Sequence, residues 1–139
     1  MNPVVHFELP ANDQKRAGDF YSSVFGWSVQ QLGPEMGNYM LAQTGETDAQ
    51  GMIQKPGNIN GGIYTRTKPE QAPHIVIQVP DIQQAIQKVK AAGGTVLGGG
   101  SPNKKSPEEP DDIPGVGLFV AFVDTEGNHL GMLQPAQQM

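Results

Sequence analysis

The stretch His6–Trp27, HFELPANDQKRAGDFYSSVFGW, decides how this 139-residue chain is to be read. Its opening alternates: Val5, Phe7 and Leu9 fall on one side and His6 and Glu8 on the other, the period of a half-buried strand. Pro10 and Asn12-Asp13 then punctuate it, and Asp13 is placed to cap a helix by accepting a first-turn N–H. From there Ala17, Phe20, Tyr21, Val24 and Phe25 recur at i, i+3, i+4, i+7 and i+8, which predicts one apolar helix face. Gly26 stops the helix, and Trp27-Ser28-Val29 starts a new strand.

The same text returns at an offset of 68 residues: His74 answers His6, Asp81 answers Asp13, Ala85 answers Ala17 and Gly94 answers Gly26. His74 to Val79 reads as a strand, Pro80-Asp81 as a cap, and Ile82, Ala85, Ile86 and Val89 as a buried helical stripe. Gly93-Gly94 ends that helix, and Thr95-Val96-Leu97 is the next strand. Between the copies, Tyr39-Met40-Leu41 reads as a short strand and the glycine-rich stretch from Gly45 to Gly62 as carrying a weaker one near Met52-Ile53. Leu118 to Val123 and Leu130 to Leu133 close the chain around the turn Asp124–Asn128. The pattern predicts an α+β fold of two tandem β-α-β-β-β modules. One domain covers 1–139, with module one at 1–66 and module two at 67–139, because copies this short are marginal alone.

Composition removes several function classes. A formal net charge of −5, with no gathering of Lys and Arg into a stripe, argues against a nucleic-acid partner. The longest apolar run, near Leu118–Val123, is far too short to span a membrane. No cysteine is present, so neither disulfides nor thiolate chemistry enter. The opening MNPVVHFELP has no leader-like basic and apolar regions, which makes the cytoplasm the expected location. The 18 glycines and 12 prolines cluster at element ends and read as turns. One stretch, Gly98–Val116, is long, Pro-rich and mixed in charge (Lys104-Lys105, Glu108-Glu109), and reads either as a solvated loop or as a lid.

The duplication also gathers candidate chemistry. If Val5, Phe7 and Leu9 pack under the helix, His6 and Glu8 face the other way, and His74, Val76 and Gln78 share that face in the second copy. In the last strand His129 has the parity of Gly131 and faces the same way. His6, His74 and either Glu8 or His129 are therefore a candidate metal set for iron, zinc, manganese or nickel, with Glu8 the candidate base. Tyr39, Met40 and Met52 fall on wall strands, so Tyr39 and Met52 join Gln78 and His129 as candidate ligand contacts. The competing reading makes the histidines plain wall residues of a metal-free pocket. Trp27 and Tyr21 are expected in the core, and Met132 under a helix.

The stretches His6–Trp27, HIVIQVPDIQQAIQKVKAAGGTV (His74–Val96) and IPGVGLFVAFVDTEGNHLGML (Ile113–Leu133) resemble the vicinal oxygen chelate superfamily of glyoxalases, bleomycin-resistance proteins and extradiol dioxygenases. The resemblance rests on FY-x-x-x-FGW, on the glycine pair after the second helix and on D-x-x-GN before the last strand. It implies modules whose mixed sheet curls into a cup with the helices outside, a homodimer, and a small-molecule ligand. Metal-dependent members would be lyases or dioxygenases acting on adjacent oxygens, with four ligands, one on the first and one on the last strand of each module. His6 and His74 match the first-strand positions. The glutamate of the last-strand G-N-x-x-E is replaced by Gly131, and no carboxylate or histidine stands near Gly51–Gln54, where module one should supply its own. The bleomycin-resistance branch offers the alternative, a metal-free protein that sequesters a small molecule or drug.

Overall fold

The computed structural model describes residues 1–50, 52–99, 106 and 108–136. Among these residues nine strands and two α-helices run in the order β1 (Val4–Ala11), α1 (Gln14–Phe25), β2 (Ser28–Gln31), β3 (Met40–Gln43), β4 (Asn60–Thr65), β5 (His74–Gln78), α2 (Ile82–Ala91), β6 (Thr95–Gly98), β7 (Asp111–Ile113), β8 (Gly117–Val123) and β9 (His129–Pro135). The α+β class is as the sequence predicts. The chain divides into two compact units, Val5–His74, and Ile75–Met139 together with Met1–Val4. The division falls after His74, so the histidine that opens the second copy belongs to the first unit.

Each unit repeats one topology. In the first, β1 pairs β4 in parallel, and β4–β3 and β3–β2 are antiparallel. In the second, β5 pairs β9 in parallel, and β9–β8 and β8–β6 are antiparallel, with β7 added on β8. The helix caps repeat as well. Asp13 accepts from Arg16 N at 3.0 Å and Asp81 from Gln84 N at 3.1 Å, with almost identical extended backbone angles. The helix stops differ: Gly26 is left-handed in the first copy, whereas in the second it is Gly93, not the aligned Gly94, that takes positive φ.

The core of the first unit is Ala11, Met40, Ala42 and Ile63, with Phe7, Leu9, Ala17, Tyr21, Trp27 and Val29 packed against it. Met40 is thus a core residue and not a wall contact. Tyr21 and Trp27 stack at 4.6 Å, in the core as expected. In the second unit Val79, Ile82, Ile86, Val96, Val120, Phe122 and Met132 form the core. Ile63, Ile82 and Val120 are fully buried, each contributing about 1.5–3 kcal/mol.

Three expectations need correction. The apolar face of α1 is turned from the predicted one: Phe20, Val24 and Phe25 are exposed, while Gly18 is buried. A Cβ on Gly18 would stand 3.0 Å from Met40 Sδ and 3.3 Å from Val29, so the glycine lets the helix settle onto the sheet along Ala17, Gly18 and Tyr21. The strand expected near Met52-Ile53 is a single bridge between Thr47 and Ile53; the real last strand of the first copy is Asn60–Thr65. Its alternation is hidden because Gly61 and Gly62 carry no side chains, their places being filled by Phe7 and Tyr39. Finally, part of the expected loop 98–116 is strand β7, and Lys104-Lys105 lie outside the described residues.

Candidate functional site

Strand alternation and register place the site on the face of the first unit opposite α1. Parallel pairing sets His6 beside Asn60, Glu8 beside Gly62 and Pro10 beside Tyr64, and antiparallel pairing sets Leu41 beside Gly62. Phe7, Leu9, Ile63 and Met40 take the helix side, which leaves His6, Glu8, Tyr39 and Tyr64 on the other. His74, at the end of the same unit, joins them.

Four of these side chains form one hydrogen-bonded chain. Glu8 Oε1 lies 2.8 Å from His74 Nε2, and Tyr39 Oη donates to Glu8 Oε2 at 2.7 Å. His6 Nε2 lies 3.0 Å from Tyr39 Oη. A phenol has a single proton, and Tyr39 spends it on Glu8, so His6 must donate its Nε2–H to the phenol oxygen. The order is therefore His6 to Tyr39 to Glu8, with His74 donating to Glu8 from the other side.

The electrostatics follow from burial and from this order. Burial opposes ionisation of Glu8, but hydrogen bonds from His74 and Tyr39 and the charge of His74 outweigh it, and its pKa falls below the usual value. For His74 the hydrogen bond to Glu8 dominates; with the Glu8 charge and a backbone bond at Ala72 it overcomes desolvation and raises the pKa. Burial lowers the pKa of His6, partly offset by Glu8. Two histidines at aligned positions are thus driven apart, one toward a neutral and one toward a charged imidazole. Burial and the Glu8 charge push the Tyr39 phenol far up, keeping it protonated as the bridge requires. Tyr64, its ring 6.0 Å from that of His74, is also raised by burial and Glu8, and its hydroxyl has no hydrogen-bond partner among the described residues.

Of the residues singled out from sequence, His6, Glu8, Tyr39 and His74 come together. Met52 does not: it lies outside any strand, 59% exposed, with its backbone N–H held by Asp48. Gln78 and His129 belong to the second unit. Gln78 is half-buried on β5 and donates its N–H to Pro3, and His129 is exposed at the turn end of β9, opposite Val123. Tyr64 joins the site through β4, which no alternation marks in the sequence, although Ile63-Tyr64-Thr65 is a run of strong strand formers.

The chain belongs to the Glyoxalase/Bleomycin resistance protein/Dioxygenase superfamily, whose model matches residues 4–132. It is similar to the glyoxylase-named protein CFP32 of Mycobacterium bovis, 28% identical over 132 residues covering 94% of this chain and 43% of the relative. The chain therefore spans less than half the length of that relative. It is also 29% identical over 137 residues to a protein named for lactoylglutathione lyase in Vibrio cholerae, covering 96% of this chain and 91% of that one. The fold matches a Streptomyces coelicolor methylmalonyl-CoA epimerase variant solved with 2-nitronate-propionyl-CoA, with a TM-score of 0.66 at 14% identity, covering 98% of this chain and 96% of that one.

The four-ligand metal centre implied by the resemblance does not fit the residues present. Register puts Gly62 beside Glu8 in the first unit, and Gly131 beside Val76 in the second. The last-strand position of module one is thus Gly62, not Gly51–Gln54, and both last-strand positions are glycine. A Cβ on Gly62 would run into the Tyr39 ring and hydroxyl; one on Gly131 would stand 2.5 Å from Phe119 Cε2. No group of three or more His, Cys, Asp or Glu among the described residues is arranged to hold an ion. Nor is any helix among them long and apolar enough to cross a membrane.

Proposed function

We propose that this chain binds an oxygen-bearing small molecule on the His6–Tyr39–Glu8–His74 face, without the superfamily's four-ligand metal centre. The observation that carries this reading is the continuous chain of hydrogen bonds that links both imidazole Nε2 atoms through the Tyr39 hydroxyl and Glu8. Such a wall presents fixed dipoles and a largely buried Glu8–His74 pair, and Tyr64 supplies a hydroxyl with no hydrogen-bond partner among the described residues to meet a ligand oxygen. The names of the relatives, a glyoxylase and a lactoylglutathione lyase, agree with a small oxygenated ligand.

The test is a thermal-shift screen of hydroxy acids, keto acids and thioesters in excess chelator. Binding to the wild type that weakens by about tenfold in Tyr64→Phe, the worth of one lost ligand hydrogen bond, supports the reading. Stabilisation only by divalent metal, abolished by chelator and by His6→Ala, overturns it.

A catalytic form of this reading is favoured by the opposite displacement of the two histidines. One imidazole lowered in pKa and one raised, the second bonded to Glu8 and the first reaching it through Tyr39, suit proton transfer to and from a bound carbon acid. Uptake of solvent deuterium by a ligand found in the screen, lost in Glu8→Gln, is the expected result.

A further inference from the structure

The two units carry the same local device, and register makes the match. Leu41 pairs Gly62 and Ala121 pairs Gly131, so the residue two positions earlier in the chain is Tyr39, just ahead of β3, in one unit and Phe119, on β8, in the other. In both cases that aromatic ring occupies the space a side chain on the glycine would need. Both glycines are buried. The neighbour on the parallel strand differs in the same sense: Glu8 beside Gly62, Val76 beside Gly131. The first unit therefore has a ring with a hydroxyl beside a carboxylate, the second a bare ring beside an isopropyl group.

We infer that Tyr39 and Phe119 are substitute wall groups: each ring fills the place of a last-strand carboxylate, and Tyr39 alone also supplies a hydroxyl that ties His6 to Glu8. At this position one copy of the duplicated framework carries a hydrogen-bonded ring and its repeat a bare one. The inference rests on the metal-free reading above and deepens it by naming the residue that closes the site to an ion. Ring and side chain exclude each other sterically, since a Cβ on Gly62 needs the space that the Tyr39 hydroxyl holds between His6 and Glu8. Placing a carboxylate on this strand therefore requires removal of the ring as well as replacement of the glycine.

The test is calorimetric titration of nickel and manganese into four proteins: wild type, Gly62→Glu, Tyr39→Gly, and Tyr39→Gly/Gly62→Glu. Far-UV circular dichroism checks that each is folded, and Gly62→Asp replaces Gly62→Glu in any pair that is not. Only the double variant is expected to take up an ion stoichiometrically, at least about tenfold tighter than the wild type, with the gain lost on adding His6→Ala. The inference is overturned if the single Gly62 variant binds as tightly as the double variant, or if the folded double variant, with Glu or Asp at position 62, binds no better than the wild type. The titration uses metal alone, so a failed small-molecule screen leaves its outcome readable.

Discussion

Glu8 and His74 stand 66 residues apart in sequence, and their side chains meet at 2.8 Å. The contact closes the first unit, because His74 is its last residue and Glu8 sits on its first strand. Both side chains keep a small opening to solvent, about one-sixth of their surface, so the pair is shielded yet reachable.

Replacing Glu8 with Gln removes the charge that both donors serve. A charged, largely buried hydrogen bond is worth about 1.5–3 kcal/mol, and unfolding in urea is expected to report a loss near the middle of that range. The His74 titration should move down toward its usual range in the same variant, which proton NMR would follow directly. An unchanged His74 titration would contradict the assignment of Glu8 as its dominant partner.

Stability should fall on both sides of neutrality. The Glu8 pKa is lowered from 4.5, so its contribution is present above that value and lost as pH drops through the folded-state pKa. His6, lowered from 6.5, adds to the acid loss because the folded protein resists its protonation. His74, raised from 6.5, contributes fully below that value, and its share is lost as pH rises through the raised pKa. Chemical unfolding across pH should show an acid limb that shrinks in His6→Phe and an alkaline limb that vanishes in His74→Phe.

Tyr39→Phe keeps the ring over Gly62 and removes only the bridge. His6 Nε2–H and Glu8 Oε2 each lose a partner in a half-buried place, at a cost of about 1–3 kcal/mol. The reciprocal change Phe119→Leu removes a ring with no polar role and should leave the histidine titrations untouched. Two-dimensional NMR of the imidazoles separates the two cases.

The glycines under the rings predict a rank order. Gly62→Ala drives a Cβ into Tyr39, and Gly131→Ala drives one against Phe119, so both are overpacked, Gly62 more severely. Overpacking costs about 1–3 kcal/mol and sometimes more. Gly127→Ala meets no atom within 4 Å but sits at φ 84°, so it pays only backbone strain. Thermal melts should order the three variants Gly62, Gly131, Gly127 from worst to mildest.

The two helix caps should behave as twins. Asp13→Ala and Asp81→Ala each remove one side-chain acceptor from a first-turn N–H, for about 1 kcal/mol apiece. Unequal losses in urea unfolding would show that the repeat is geometric and not energetic.

The sequence by itself determined the α+β class, the duplication, both helix caps, and the face shared by His6 and Glu8. These are local: a period of two, a period of 3.6 and a capping residue act within a few positions. The turn at Asp124–Asn128 was legible for the same reason, since Asp124 accepts from Glu126 N and Asn128 N within its own loop. Only the tertiary structure decided what stands at the last-strand positions. Gly61-Gly62 carry no side chains to show a period, so periodicity points to Met52-Ile53 and passes over β4 and Tyr64. Tyr39 looked like a general wall residue, yet it is the bridge between His6 and Glu8, because strand pairing lays its ring on a glycine 23 residues away. The helix face was rotated for a similar reason: Gly18 has no hydrophobic signature, but its lack of a Cβ let α1 approach Met40 and left Phe20 outside. Where an absent side chain creates the fit, periodicity is silent, and the partner that fills the space is known only once the strands are paired.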